Sequence, residues 1–139
     1  MKRVPLEELE YPGDGLYYLD SEPFTGTALY IAQDGRDRGY SEFLNGLRWG
    51  ETKETYPEGT PMTEAPYFKG VIHGRAREWH RNGKLAEDGE FEYGIALWEK
   101  EWNDTGAIEK DYSLDENSEA YQRLLRYRAL FKPQGGDSI

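Results

Sequence analysis

The chain has no cysteine among its 139 residues, so neither disulfides nor thiolate chemistry is available to it. Histidine is almost as scarce: His73 and His80 stand seven positions apart with no further ligand at metal-binding spacing, and no metal site is expected. No stretch approaches the roughly 18 apolar residues of a membrane span. The N-terminus has two basic residues with no apolar run behind them, so a soluble, cytoplasmic protein is expected. Nucleophile elbow, phosphate loop and nucleotide fingerprint are all missing. Glu99 and Glu101 would share a strand face about 6.5–7 Å apart at the backbone, within reach of hydrolase geometry. Acids this numerous produce such pairs by chance, so no catalytic residue and no cofactor are assigned, and an enzyme is not expected.

What the chain does have is glycine at regular intervals. Gly26, Gly35, Gly46, Gly50, Gly59, Gly70, Gly74 and Gly83 are separated by 9, 11, 4, 9, 11, 4 and 9 positions, a 24-residue period. The count continues to Gly94, then slips by one residue, so that Leu97 stands where a glycine is due and Gly106 closes the last unit. Phe43, Tyr67 and Phe91 fall into the same frame, each three residues before a glycine. Asp34-Gly35, Asn45-Gly46, Glu58-Gly59 and Asn82-Gly83 carry the chemistry of tight hairpin turns, in which glycine supplies a positive φ.

Segments of eight and ten residues between these glycines suit strands and are too short for most helices, so each unit predicts a β-hairpin. Alternation then sorts the first strand of each unit onto two faces. One carries Thr27, Leu29, Ile31, Arg75, Arg77, Trp79, Trp98 and Trp102, the other Ala28, Tyr30, Thr52, Tyr56, Ala76, Glu78, His80, Glu99 and Glu101. A lone hairpin is marginal in water, so the units must stack, eight or nine strands spanning roughly 40 Å. The prediction is a mainly β protein, an elongated, twisted, single-layer antiparallel meander, in which cross-strand aromatic pairs replace a deep aliphatic core.

Residues 67–85, YFKGVIHGRAREWHRNGKL, resemble the MORN repeat, and more closely its bacterial variant: glycine, three residues, glycine, a strand with an aromatic pair (here Trp79 and His80), then Asn-Gly. Residues 15–35, with Pro-Phe-Thr-Gly at 23–26, are similar to the N-terminal start of that family. The resemblance covers about residues 15–114 and departs from the pattern at Thr55, at Leu97 and at the deletion before Leu97. It implies one domain, 1–139, of stacked MORN-like hairpins with units at about 26–49, 50–73, 74–96 and 97–114. An N-terminal strand at about 15–25 precedes them. An exposed strand near Leu16–Leu19 would allow edge-to-edge dimers.

From Ser118, Tyr121, Leu124, Leu125 and Phe131 follow helical spacing, which predicts a helix over about 117–131 that caps the array, with Pro133 ending it and 132–139 as a tail. Net charge is −10, and residues 84–120 hold twelve acids against Lys84, Lys100 and Lys110. Such charge repels phosphate backbones and anionic lipid and attracts basic partners, so nucleic acid is excluded and membrane binding is disfavoured.

Bacterial proteins of the resembled family are often immunity proteins or antitoxins, which implies a protein-binding module that occludes a basic toxin or effector. Tyr56, Trp79, His80, Trp98 and Trp102 would be its aromatic anchors, with Glu99, Glu101, Asp104 and Glu109 steering the encounter. The alternative is a scaffold or adaptor, the role associated with MORN arrays in larger proteins.

Overall fold

A computed structural model describes residues 2–131 of the chain; the expected tail at 132–139 lies outside the described residues. Strands β4 (Gly26–Ile31), β5 (Asp37–Leu44), β6 (Leu47–Thr55), β7 (Pro61–Phe68), β9 (Gly74–Trp79), β10 (Leu85–Glu92), β11 (Ile95–Trp102) and β12 (Ile108–Ser113) pair antiparallel in chain order. The short β8 (Val71–Ile72) folds back on β7. The result is an open, mainly antiparallel sheet, with one helix, α1 (Glu119–Leu130), at its C-terminal end.

Two kinds of turn alternate along the meander. Asn45-Gly46, Lys69-Gly70 and Tyr93-Gly94 each have both residues at positive φ, the geometry that matches the twist of a two-residue hairpin. Asn45-Gly46 announces that turn in the sequence, whereas lysine and tyrosine adopt it against their own preference. Gly35, Gly59, Gly83 and Gly106 close the other kind. In each of these the glycine N–H donates to the carbonyl three residues before it, Ala32, Tyr56, His80 or Asn103.

The glycines four residues beyond the two-residue turns sit in bulges. Between the Phe43–Arg48 and Ser41–Thr52 pairs, one residue of β5 faces three of β6. Gly50, at φ +105°, lies among them: a Cβ there would fall 2.8 Å from Glu42 Oε1, which accepts the Glu51 N–H at 2.7 Å. In the β10–β11 hairpin, the last of the two-residue turns, the bulge shrinks. Only Leu97 separates the partners of Glu90 and Phe91 on β11. Losing one residue from the bulge removes the need for the glycine, which is why the spacing slips there and leucine is tolerated.

The N-terminal segment differs from expectation. The edge strand is β1 (Lys2–Pro5), which pairs parallel with β4, whereas residues 18–23 form a separate small hairpin of β2 (Tyr18–Leu19) and β3 (Glu22–Pro23). Four residues ending in proline carry too little periodicity to announce a strand, and it is β4 that supplies its hydrogen bonds. This segment builds the main core. Phe24, Ala28 and Phe43 are buried, and Val4, Leu6, Leu9, Tyr17 and Leu19 pack on them. Tyr17 and Phe24 meet Phe43 edge-on at 5.2 and 5.7 Å, and Arg48 lies 5.4 Å from the Tyr17 ring.

Helix α1 starts on Ser118, whose Oγ accepts the Tyr121 N–H at 3.1 Å. Its Leu124 is fully buried, Tyr127 and Phe131 pack on Tyr93 at 5.9 and 5.5 Å, and Arg128 pairs with Glu92. These partners belong to the β10–β11 hairpin and not to β12, whose six residues are all exposed. By strand alternation Glu92 lies on the face opposite Phe43 and Phe91, so the two terminal segments cover different faces of the sheet.

Candidate functional site

The face covered at β4–β5 by the N-terminal segment is uncovered from β6 to β11. Three side-chain rows cross it there. The middle row runs Ser41, Thr52, Ala65 through direct register partners and resumes as Ala76, Gly89 and Glu99. From Thr52 to Gly89 small side chains make this row a floor, and Glu99 closes its end. Two residues along one strand direction stand Tyr67 and Phe91; two residues the other way stand Glu78, Glu87 and Glu101, themselves direct partners across β9, β10 and β11. The rows enclose an open groove of about 370 Å³ with aromatic side chains on one flank and carboxylates on the other.

Gly89 is what keeps the floor low at its acidic end, since a Cβ there would lie 2.9 Å from Phe91 Cε1 and 3.2 Å from Glu99 Cγ. The carboxylates crowd one another. Oxygens of Glu87, Glu99 and Glu101 lie within 4.8 Å of each other. Lys110 on β12 reaches Glu99 at 3.3 Å and Glu101 at 3.5 Å, and its own ammonium is held charged by them. Among the described residues neither Glu78 nor Glu87 has a basic partner within 4.0 Å. A hydrogen bond to the Glu78 carboxyl, then burial and the like charge of Glu78, push Glu87 up to about 7.

The opposite face is built differently. Arg75 grips Asp88 through two hydrogen bonds of 2.5 and 2.7 Å, which hold the largely buried Asp88 carboxyl below its ordinary range. Arg77 reaches Glu64 at 3.2 Å. The same guanidinium groups lie over tryptophans, Arg75 at 5.1 Å from Trp98 and Arg77 at 5.7 Å from Trp79.

The residues expected to anchor a partner are therefore divided. Trp79, Trp98 and Trp102 fall on the arginine face; Tyr56, His80, Glu99 and Glu101 fall on the groove face, where Glu99 lines the groove and Glu101 stands just beyond it at the end of the carboxylate row. Tyr56 and His80 join neighbouring strands: the Tyr56 hydroxyl donates to the Trp79 carbonyl at 2.7 Å, and His80 Nε2 lies 2.8 Å from the Trp102 carbonyl. Asp104 sits in the β11–β12 turn, its carbonyl accepting from Asn82 at 2.8 Å, and Glu109 is exposed on β12. His73 Nδ1 accepts the Tyr93 N–H at 2.9 Å, and burial lowers its pKa, in keeping with a neutral acceptor.

Glu78, Glu87, Tyr67 and Phe91 line the groove but were not among the residues expected to bind a partner. Tyr67 and Phe91 were visible as periodic aromatics, and Glu87 pairs with Glu78 only once the register of the second strand is known. Among the described residues no helix is long and apolar enough to cross a membrane. No protein-family model matches the chain, and no curated protein matches it.

Proposed function

We propose that this chain is a non-enzymatic protein-binding module of stacked MORN-like hairpins, acting in the cytoplasm as an immunity protein or antitoxin that occludes a basic toxin or effector. The observation that carries the proposal is the uncovered groove face, where Glu78, Glu87, Glu99 and Glu101 are gathered beside Tyr67 and Phe91 on a rigid sheet. A surface of one charge sign with an aromatic flank steers a basic protein and then gives it apolar area to bury. The net charge of −10 adds long-range attraction to the same class of partner.

The remaining aromatics serve this role indirectly. Tyr56, His80 and Trp98 tie successive hairpins together, with Trp79 and Trp102 offering their carbonyls to Tyr56 and His80. Asp104 in the β11–β12 turn and Glu109, exposed on β12, add to the overall negative field.

The test is titration of the purified chain with the protein encoded by the neighbouring gene, at low and at physiological salt. A stable complex that weakens with salt and abolishes the partner's toxic activity is expected. No complex at low salt overturns the proposal.

A further inference from the structure

We infer that the groove between β6 and β11 receives a cationic side chain, lysine or arginine, from a protein partner, its alkyl stem lying along the small-residue floor and its charged head meeting Glu78 and Glu87. The inference rests on the protein-binding role proposed above and names the chemistry that role would use.

Three observations specify the occupant. First, the volume of about 370 Å³ falls in the roughly 300–1,000 Å³ range of ligand-binding clefts and leaves room for a long side chain. Second, the groove is two-natured: Ala65, Ala76 and Gly89 floor it beneath Tyr67 and Phe91, while the far flank is carboxylate. An alkyl stem that ends in a cation matches both halves, because its methylenes gain from leaving water while its head does not lose its counter-charge. Third, the chain already shows this chemistry one strand over, where Lys110 crosses to Glu99 and Glu101; of the carboxylates that line the groove, Glu78 and Glu87 are left with no basic partner within 4.0 Å among the described residues.

The free protein compensates with a proton. The groups facing Glu87 are Glu78 from β9, Glu99 and Glu101 from β11, and Lys110 from β12; a cation arriving at Glu78 and Glu87 takes the place of the proton held between them. Binding is therefore tighter at pH 8 than at pH 6.

The experiment uses the full chain, labelled with ¹⁵N, and three capped peptides at low salt: acetyl-Gly-Arg-Gly-amide, acetyl-Gly-Lys-Gly-amide and acetyl-Gly-norleucine-Gly-amide. Saturable amide shifts at Ala76, Glu78, Glu87 and Gly89 are expected with both basic peptides and none with norleucine. Ala76→Leu, which fills the floor, and Glu87→Gln, which removes one charge, are each expected to weaken the basic peptides at least tenfold. Equal binding of norleucine overturns the inference in favour of a purely apolar groove. Non-saturating shifts spread over β12 and the Asp104 turn reduce it to diffuse charge attraction. Saturation of the same residues by micromolar calcium, with displacement of the peptide, replaces it with a metal site. The norleucine comparison needs no variant, so a substitution that fails to fold does not remove the test. A toxin that binds Ala76→Leu as well as it binds the natural chain overturns the groove and leaves the protein-binding role standing; the absence of any protein partner overturns that role independently of the peptide result.

Discussion

Replacing Glu87 by glutamine is expected to stabilise this protein above neutral pH and to leave it unchanged or weakened in mild acid. Glu87 is raised from its ordinary 4.5 to about 7 because Glu78 hydrogen-bonds to it and carries like charge beside it. The folded state then holds a proton between pH 4.5 and 7 that the unfolded chain has released, so stability falls as pH rises through that window. Taken in full, the displacement corresponds to roughly 3 kcal/mol. Glu87 is only half-buried, and water screens the Glu78–Glu87 repulsion, so about 1 kcal/mol is the expected share. Glutamine keeps the shape and one hydrogen-bonding group but never ionises. Urea unfolding of both proteins at pH 5, 6, 7 and 8 measures the effect as a difference, which cancels the general repulsion of a chain with net charge −10. Glu87→Gln should gain about 1 kcal/mol on the natural protein between pH 5 and pH 8. A stability difference that stays constant across that range would refute the shared proton and the crowding of carboxylates behind it.

Four other perturbations probe the platform. Arg75→Ala leaves the largely buried Asp88 carboxylate without its bidentate partner and should cost about 2 kcal/mol in urea unfolding, less than a fully buried pair because Arg75 is half-exposed. The stability that Asp88 contributes is present above its ordinary pKa and is lost as pH falls through its lowered one, so the same variant should flatten acid unfolding. Arg81→Ala, which breaks an exposed pair with Glu58 and removes the guanidinium over Tyr56, should cost no more than about 1 kcal/mol. Gly46→Ala should cost at least twice as much as Gly59→Ala: both positions have positive φ, but only at Gly46 would a Cβ meet Leu16 Cβ at 3.0 Å and the Tyr17 carbonyl at 3.1 Å. Ser118→Ala should weaken α1 by about 1 kcal/mol and reduce the near-ultraviolet dichroism of the Tyr93, Tyr127 and Phe131 stack.

Glycine spacing, strand lengths and the aromatic frame determined by themselves that the chain forms short antiparallel strands joined by tight turns, because a residue at positive φ is a local demand that glycine or asparagine meets at once. Helix α1 was equally legible, from Ser118 and the spacing of Tyr121, Leu124 and Phe131. The tertiary structure alone decided what pairs and faces what. That Lys2–Pro5 lies parallel to β4 depends on hydrogen bonds offered by residues some 24 positions away, and that α1 packs on Tyr93 and not beside β12 depends on where aromatic side chains are left uncovered. The groove followed the same rule. Glu78 and Glu87 come together only through a register shift between β9 and β10, and a one-residue change in that shift would place Glu87 on the arginine face. Alternation along one strand can be read from sequence, but the pairing of two strands is settled by the bulges between them, and so the residues that make the site became visible only when the sheet was assembled.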